Sequence, residues 1–223
     1  AIRRGTKVPE SATEVFDVDE VTAVQGTDVT TNFPVDAQLL FGLGSTYSLS
    51  YVLDRLRGVS TNSTSSGRDL EPNNTNAESS ETLTQQWGNT GFQVPAFLTN
   101  FRTVYYNWKR APNYMDVVAY TGNYTAGHNI SHNLGVAPEM MWVKKRDAAS
   151  FWRCYHKDLG NTKALALNDS GVAGTSTYWS NTTPTESVFT VGIDGGTNSS
   201  GNTFIAYLFA SLAGISKVGS VTH

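Results

Sequence analysis

The apolar positions of the chain recur with a period of two over short stretches separated by Gly, Asn, Ser and Thr, the pattern of half-buried strands joined by turns. Val15-Phe16-Asp17-Val18 alternates apolar with acidic residues, and residues 37–41 and 47–53 read as two strands joined through Gly42-Leu43-Gly44-Ser45. Val104-Tyr105-Tyr106-Asn107-Trp108 reads as an aromatic strand, Arg110-Ala111-Pro112-Asn113 as a turn, and Asp116-Val117-Val118-Ala119-Tyr120-Thr121 as a further strand. Beyond them, residues 140–143, 151–156, 165–168 and 188–191 form short strands. The run Phe204-Ile205-Ala206-Tyr207-Leu208-Phe209 is apolar on both faces, as a central strand covered on each side must be. An apolar 3.6-residue period is absent apart from a weak trace over residues 49–56. The expectation is an all-β protein.

The strands also repeat. Tyr106 and Tyr207, Trp108 and Phe209, Val117 and Val218, and Thr121 and Thr222 are paired at a common offset of 101 residues. A shared offset through strand, turn and strand marks a duplicated unit. Phe33-Pro34-Val35-Asp36 and Ala137-Pro138-Glu139-Met140 extend the match at an offset of 104, and Phe92 and Phe189 at 97. The expected organisation is two tandem jelly-roll- or concanavalin-like β-sandwiches, residues 1–122 with a mobile N-terminal lead-in and residues 123–223. The polar stretch over residues 60–76 reads as a long surface loop around a short strand near Leu70.

Composition narrows the function. Charged residues are 16% of the chain and the net charge is −3, which argues against a nucleic-acid surface. The apolar run over 204–215 is too short to cross a bilayer. Cys154 is the single cysteine, in a strand-like run that suits a buried small hydrophobe. There is no initiator Met and no apolar stretch after the first charged residues, so a processed or partial chain is expected.

Catalytic constellations are missing. His128 and His132 are four apart, but in a strand that spacing separates them by about 13 Å, too far to share a metal. Glu78 with Glu81, or Asp17 with Asp19, could serve a glycosidase, yet their neighbours are polar and nothing in sequence raises one pKa. Lys144-Lys145-Arg146, and Arg55 with Arg57, read as solvated strand ends. The expectation is a protein with no catalytic residues, cofactor or metal. What stands out are aromatics in polar loops: Trp87 beside Gly88-Asn89, and Tyr178-Trp179 beside Ser180-Asn181. Flat rings next to amides and hydroxyls suit glycan or partner contact; the competing reading is a plug closing the end of each sandwich.

His132-Asn133-Leu134-Gly135-Val136-Ala137-Pro138-Glu139-Met140-Met141-Trp142-Val143-Lys144 resembles a segment of repeated domains in virion structural proteins of marine tailed phages, cyanophage tail-fibre-like proteins among them. Val188-Phe189-Thr190-Val191-Gly192 and Ile205-Ala206-Tyr207-Leu208-Phe209 share the resemblance, as do Asp54-Arg55-Leu56-Arg57-Gly58 and residues 108–122 in the first half. It implies a β-sandwich in a phage particle, often in a trimeric fibre, with other tail or capsid proteins as partners and no catalytic residues. The expected function is a tail fibre or appendage component that contacts the host surface, where glycan is the candidate ligand. A non-adhesive adaptor or capsid decoration is the alternative, and a polysaccharide-degrading enzyme the third.

Overall fold

The alternation of Phe16 to Thr22 is that of a strand with one face toward a core. In the computed structural model, which describes residues 7–22, 24, 26–43, 50–58, 67–79, 85–95 and 102–221, it is β1 (Phe16–Thr22), entered through a single 3₁₀ turn at Ala12–Glu14 that Ser11 caps. There follow β2 (Asp28–Thr30), β3 (Ala37–Leu43), β4 (Ser50–Asp54), β5 (Asp69–Leu70), β6 (Gly91–Gln93) and β7 (Arg102–Trp108). One antiparallel sheet has the order β1-β7-β3-β4-β5, and β2 pairs with β6 in a second. Leu40, Leu53 and Tyr105 from the first and Val29 and Phe92 from the second meet in one core with Phe33, Val35 and Val94.

The remaining strands are β8 (Met115–Thr121), β9 (His128–Ser131), β10 (Met140–Lys145), β11 (Arg153–His156), β12 (Lys163–Ala166), β13 (Gly174–Thr175), β14 (Val188–Val191) and β15 (Thr203–Phe209), with one helical turn, α1 (Gly195–Asn198). They form a sheet of order β13-β12-β11-β10-β15-β8 and a β14–β9 pair. Their shared core holds Met141, Val143, Phe204, Ala206 and Leu208 from the large sheet and Ile130, Phe189 and Val191 from the small one. As its composition requires, β15 is central and fully covered, with Phe204, Ile205, Ala206 and Leu208 at zero exposure. The protein is nearly all β, built from antiparallel sheets.

The two units wind alike. In the first, Phe16 and Ala37 sit opposite Trp108 from either side; in the second, Met115 and Met140 sit opposite Phe209 in the same way. Asp36 N–H donates to Trp108 O (2.8 Å), and Glu139 N–H to Phe209 O (2.9 Å). After β7 the turn 111–115 closes with an Ala111–Met115 bridge, and after β15 the turn 212–216 closes with a Leu212–Ser216 bridge. In each turn the last residue also donates back to the first, Met115 N–H to Ala111 O (3.2 Å) and Ser216 N–H to Leu212 O (2.9 Å).

Several expectations need correction. The division between compact units falls after Arg110, not after Gly122, because β8 pairs along its whole length with β15. Residues 73–77, expected within a loop of the first half, belong to the second unit, where Ser150 N–H donates to Thr75 O (2.9 Å). Of the presumed solvated strand ends, Lys144 is fully buried, its Nζ donating to Ser150 O (2.9 Å) and Thr75 O (3.2 Å). Arg57 is also buried, with Nε 2.5 Å from Asp54 Oδ2 and Nη2 donating to Val52 O (2.7 Å). A lone charge would not persist there; matched donors and acceptors make burial tolerable. Of the weak helical trace over 49–56, the described residues 50–56 are strand β4 and a turn.

Candidate functional site

Hydrogen-bonded neighbours share a face in an antiparallel sheet, so Arg153, opposite Val143 and Ala166, points toward the core side of the large sheet. It lies past the edge of the packed core, where β11 begins. Here the chain leaves a groove of about 680 Å³ within the second unit. Arg153, Ala164 and Ala166 form its floor, and Ser176, Tyr178 and Asp194 come from loops opposite. Asp169, Thr175, Thr177 and Asn181 add carboxylate, hydroxyl and amide groups to its wall.

The groove is organised around one guanidinium. The Arg153 Cζ sits 4.5 Å from the ring centre of Tyr178 and 4.9 Å from that of Phe151, so two aromatic rings hold the planar group. Its Nε is buried, and among the described residues nothing accepts a hydrogen bond from it; the Ser176 Oγ is likewise buried without a partner. Burial raises the Tyr178 phenol above its ordinary pKa, Arg153 lowers it and Asp194 raises it, so the ring stays a neutral hydroxyl. Asp194 Oδ1 accepts from Gly196 N–H (2.6 Å), and Asp169 Oδ1 accepts from Gly171 N–H (3.3 Å).

Tyr178 is placed by its backbone. Gly192 N–H donates to Tyr178 O (3.0 Å), and the Thr197 hydroxyl donates to the same oxygen (3.2 Å). A Cβ on Gly192 would lie 2.0 Å from Thr177 O, so only glycine permits this approach. Ser180 and Asn181 follow with φ of 52° and 51°, a left-handed pair that reverses the chain and brings Asn181 to the groove wall.

Of the three aromatics expected at a contact site, only Tyr178 lines this groove. Trp179 is fully buried; its ring packs edge-on against Tyr155 at 5.8 Å and its Nε1 donates to Lys163 O (3.0 Å). Trp87 is 8% exposed, bridges to Phe92, has the Arg55 guanidinium 5.4 Å over its ring and lines a smaller groove of about 390 Å³ in the first unit. Both tryptophans close the cores of their own units. A β-strand reading cannot separate such plugs from exposed rings, because a plug also lies in a polar loop. Arg153 carried no signal of its own: it reads as one polar position in an alternating strand.

The other candidates are elsewhere. His128 Nδ1 lies 3.0 Å from Asn198 Oδ1, and His132 Nε2 lies 3.2 Å from Thr185 O, with burial lowering the His132 pKa. Cys154 is free and buried, its thiol pushed up to about 12 by that burial. Glu81 lies outside the described residues, and Glu78 is 3.5 Å from the Arg57 guanidinium. Contrary to expectation, one acid of the Asp17–Asp19 pair is perturbed: burial, then the neighbouring Asp17 charge, raise Asp19 to about 6. Its Oδ2 accepts from Asn107, which accepts from Gln38, whose own carbonyl accepts from Gln85. That chain of amides ties the core side of the first unit's sheet together and lines none of the grooves described above. Among the described residues no three His, Cys, Asp or Glu side chains are grouped to hold a metal ion.

No curated protein and no solved structure matches the chain. A family model does, over residues 45–223, from within the first unit to the end. The chain belongs to the family described as "Domain of unknown function (DUF7483)".

Proposed function

We propose that the chain is a virion structural protein, a component of a tail fibre or related appendage, that contacts glycan on a host surface through the groove at Arg153 and Tyr178. The observation that carries the glycan reading is the make-up of that groove. An aromatic ring held against a guanidinium, with hydroxyls, an amide and two carboxylates around it, offers a sugar both an apolar face and hydroxyl partners. The virion reading rests on the resemblance of residues 132–144, 188–192 and 205–209 to phage structural repeats. A shallow site suits such a protein, because many weak copies on a symmetric fibre, a trimer in this proposal, bind by avidity.

The same proposal includes descent of the two units from one jelly-roll-like sandwich by duplication. Its support is the identical strand order, β1-β7-β3-β4-β5 beside β8-β15-β10-β11-β12, and the matched registers at Trp108 and Phe209. The repeated turns at 111–115 and 212–216 lie at the offset of 101 that Tyr106 and Tyr207 share.

The test is binding of the purified protein to bacterial envelope polysaccharide, with Tyr178→Ala beside the native chain. Saturable binding that weakens at least tenfold in the variant, at unchanged stability of the fold, is the expected result. Absence of binding by the folded oligomer would favour a purely structural adaptor or capsid decoration. Asp169 and Asp194 line the same groove, so shortening of the polysaccharide during the assay would replace the non-enzymatic reading with a hydrolytic one.

A further inference from the structure

We infer that the groove selects sugars carrying a carboxylate, with the Arg153 guanidinium as the carboxylate's partner; this rests on the glycan reading above. Three features of Arg153 point there. Its guanidinium lies against two rings, with Cζ 4.9 Å from the centre of Phe151 and 4.5 Å from that of Tyr178. A guanidinium presents its N–H donors in the fork geometry that matches a carboxylate bidentately. And among the described residues its Nε is buried without an acceptor. Elsewhere in the protein buried or half-buried arginines are satisfied, Arg57 by Asp54 and Val52 O, Arg55 by Val35 O and Gly88 O. Arg153 packs against two rings, and among the described residues nothing accepts from its Nε. A group that is immobilised, desolvated at one nitrogen and left without an acceptor is preorganised for a ligand that brings one.

The rest of the groove sets which anion fits. Among the described residues Ser176 Oγ is a second buried group without a partner, and Ser176 lines the same groove. Asp169 and Asp194 also line it. Two carboxylates would repel a polyphosphate or a densely sulfated chain, and each accepts hydrogen bonds from hydroxyls. The combination of one unpaired guanidinium, one ring face, two carboxylates and an unpartnered hydroxyl suits a single negative charge set among hydroxyl groups. A uronic acid residue has that arrangement: ring carbons for Tyr178, hydroxyls for the aspartates, and one carboxylate for Arg153.

The experiment titrates the full chain with a panel of uronate oligosaccharides, their methyl esters, neutral oligosaccharides of matching linkage, and sulfated ones, followed by calorimetry and saturation-transfer NMR. The variants are Arg153→Met, which keeps an apolar stem without the guanidinium, Arg153→Lys, which keeps the charge without the fork, and Ser176→Ala, which removes no hydrogen bond among the described residues. The inference expects a uronate to bind at least tenfold more tightly than its methyl ester. It expects Arg153→Met to abolish that difference, Arg153→Lys to restore little of it, and Ser176→Ala to weaken binding a few-fold with the thermal unfolding unchanged. Equal binding of acid and ester, or full binding by Arg153→Met, would overturn the inference while leaving the glycan reading standing. Tighter binding of the sulfated members would also overturn it, in favour of a general anion site. Binding by no member of the panel would overturn the glycan reading and this inference with it.

Discussion

Trp179 separates a structural from a binding role more sharply than any other residue, because it adjoins the groove yet is itself at zero exposure. Truncating it to alanine removes a ring that packs on Tyr155 at 5.8 Å, and deletes the Nε1 donor to Lys163 O. Removing roughly 200 Å² of buried ring at about 25 cal/mol per Å² sets a ceiling near 5 kcal/mol. The range for Trp-to-Ala changes in cores, about 3–5 kcal/mol, lies under it. The lost hydrogen bond adds little, about 1 kcal/mol at most, because Lys163 is exposed and water can reach its carbonyl. Trp179→Phe keeps most of the ring and should lose only about 1–2 kcal/mol. The assay is denaturant unfolding followed by far-UV circular dichroism. A loss under about 1 kcal/mol for Trp179→Ala at unchanged slope would refute the core assignment. So would a variant that loses glycan binding while its stability stays native.

Two further predictions concern buried charge. Asp54→Ala removes the carboxylate 2.5 Å from the buried Arg57 guanidinium, whose distance to Glu78 is 3.5 Å; it should destabilise the first unit by about 3–5 kcal/mol. The double change Asp54→Leu with Arg57→Met should recover most of that, and a single-variant loss below about 1 kcal/mol in urea unfolding would show the pair to be dispensable. In the second unit, burial and then the Lys145 charge lower Lys144 from 10.5 to about 8. Between those values the unfolded chain binds the proton that the folded chain has released, so stability rises with pH from about 8 upward. Lys144→Met should remove roughly 1–2 kcal/mol of that rise between pH 8 and 9.5, and an identical slope in the variant would place the titration elsewhere.

What could be read without coordinates was the part that burial alone decides. Phe204 to Phe209 carries no polar residue, so its central position in a sheet followed from composition, and the 101-residue offset pointed to two similarly wound units. Long-range polar pairing was not legible. Lys144 looks like the end of a strand because lysines are seldom buried, and its acceptors, Thr75 O and Ser150 O, lie on two separate segments. Asp54 and Arg57 are three residues apart and their pairing was open to inspection, but an exposed turn has the same spacing. The groove was legible in one residue of its wall, Tyr178, since Arg153, Ser176 and Asp194 converge only through the sheet and its loops.

On the duplication reading, the places where the units differ are as informative as those where they agree. Strands at the centre of each large sheet keep their registers, because a one-residue slip there would turn a buried face to water. The segment between β12 and β14 bears no such constraint, and it is where the second unit has β13, the left-handed Ser180-Asn181 pair and the wall of the groove. The offset between the halves falls from 104 at the prolines to 97 at Phe92 and Phe189, so the two copies differ in length across this region. The first unit places Trp87 before its β6 as the second places Trp179 before β14, and both rings close a core. The plug is therefore common to both, whereas Arg153 with Tyr178 at its face belongs to the second unit, and Arg55 over Trp87 already donates to two carbonyls of its own chain. On the same reading, a scaffold kept twice with a loop-built groove in the second unit is what selection for ligand contact on an otherwise structural module would leave.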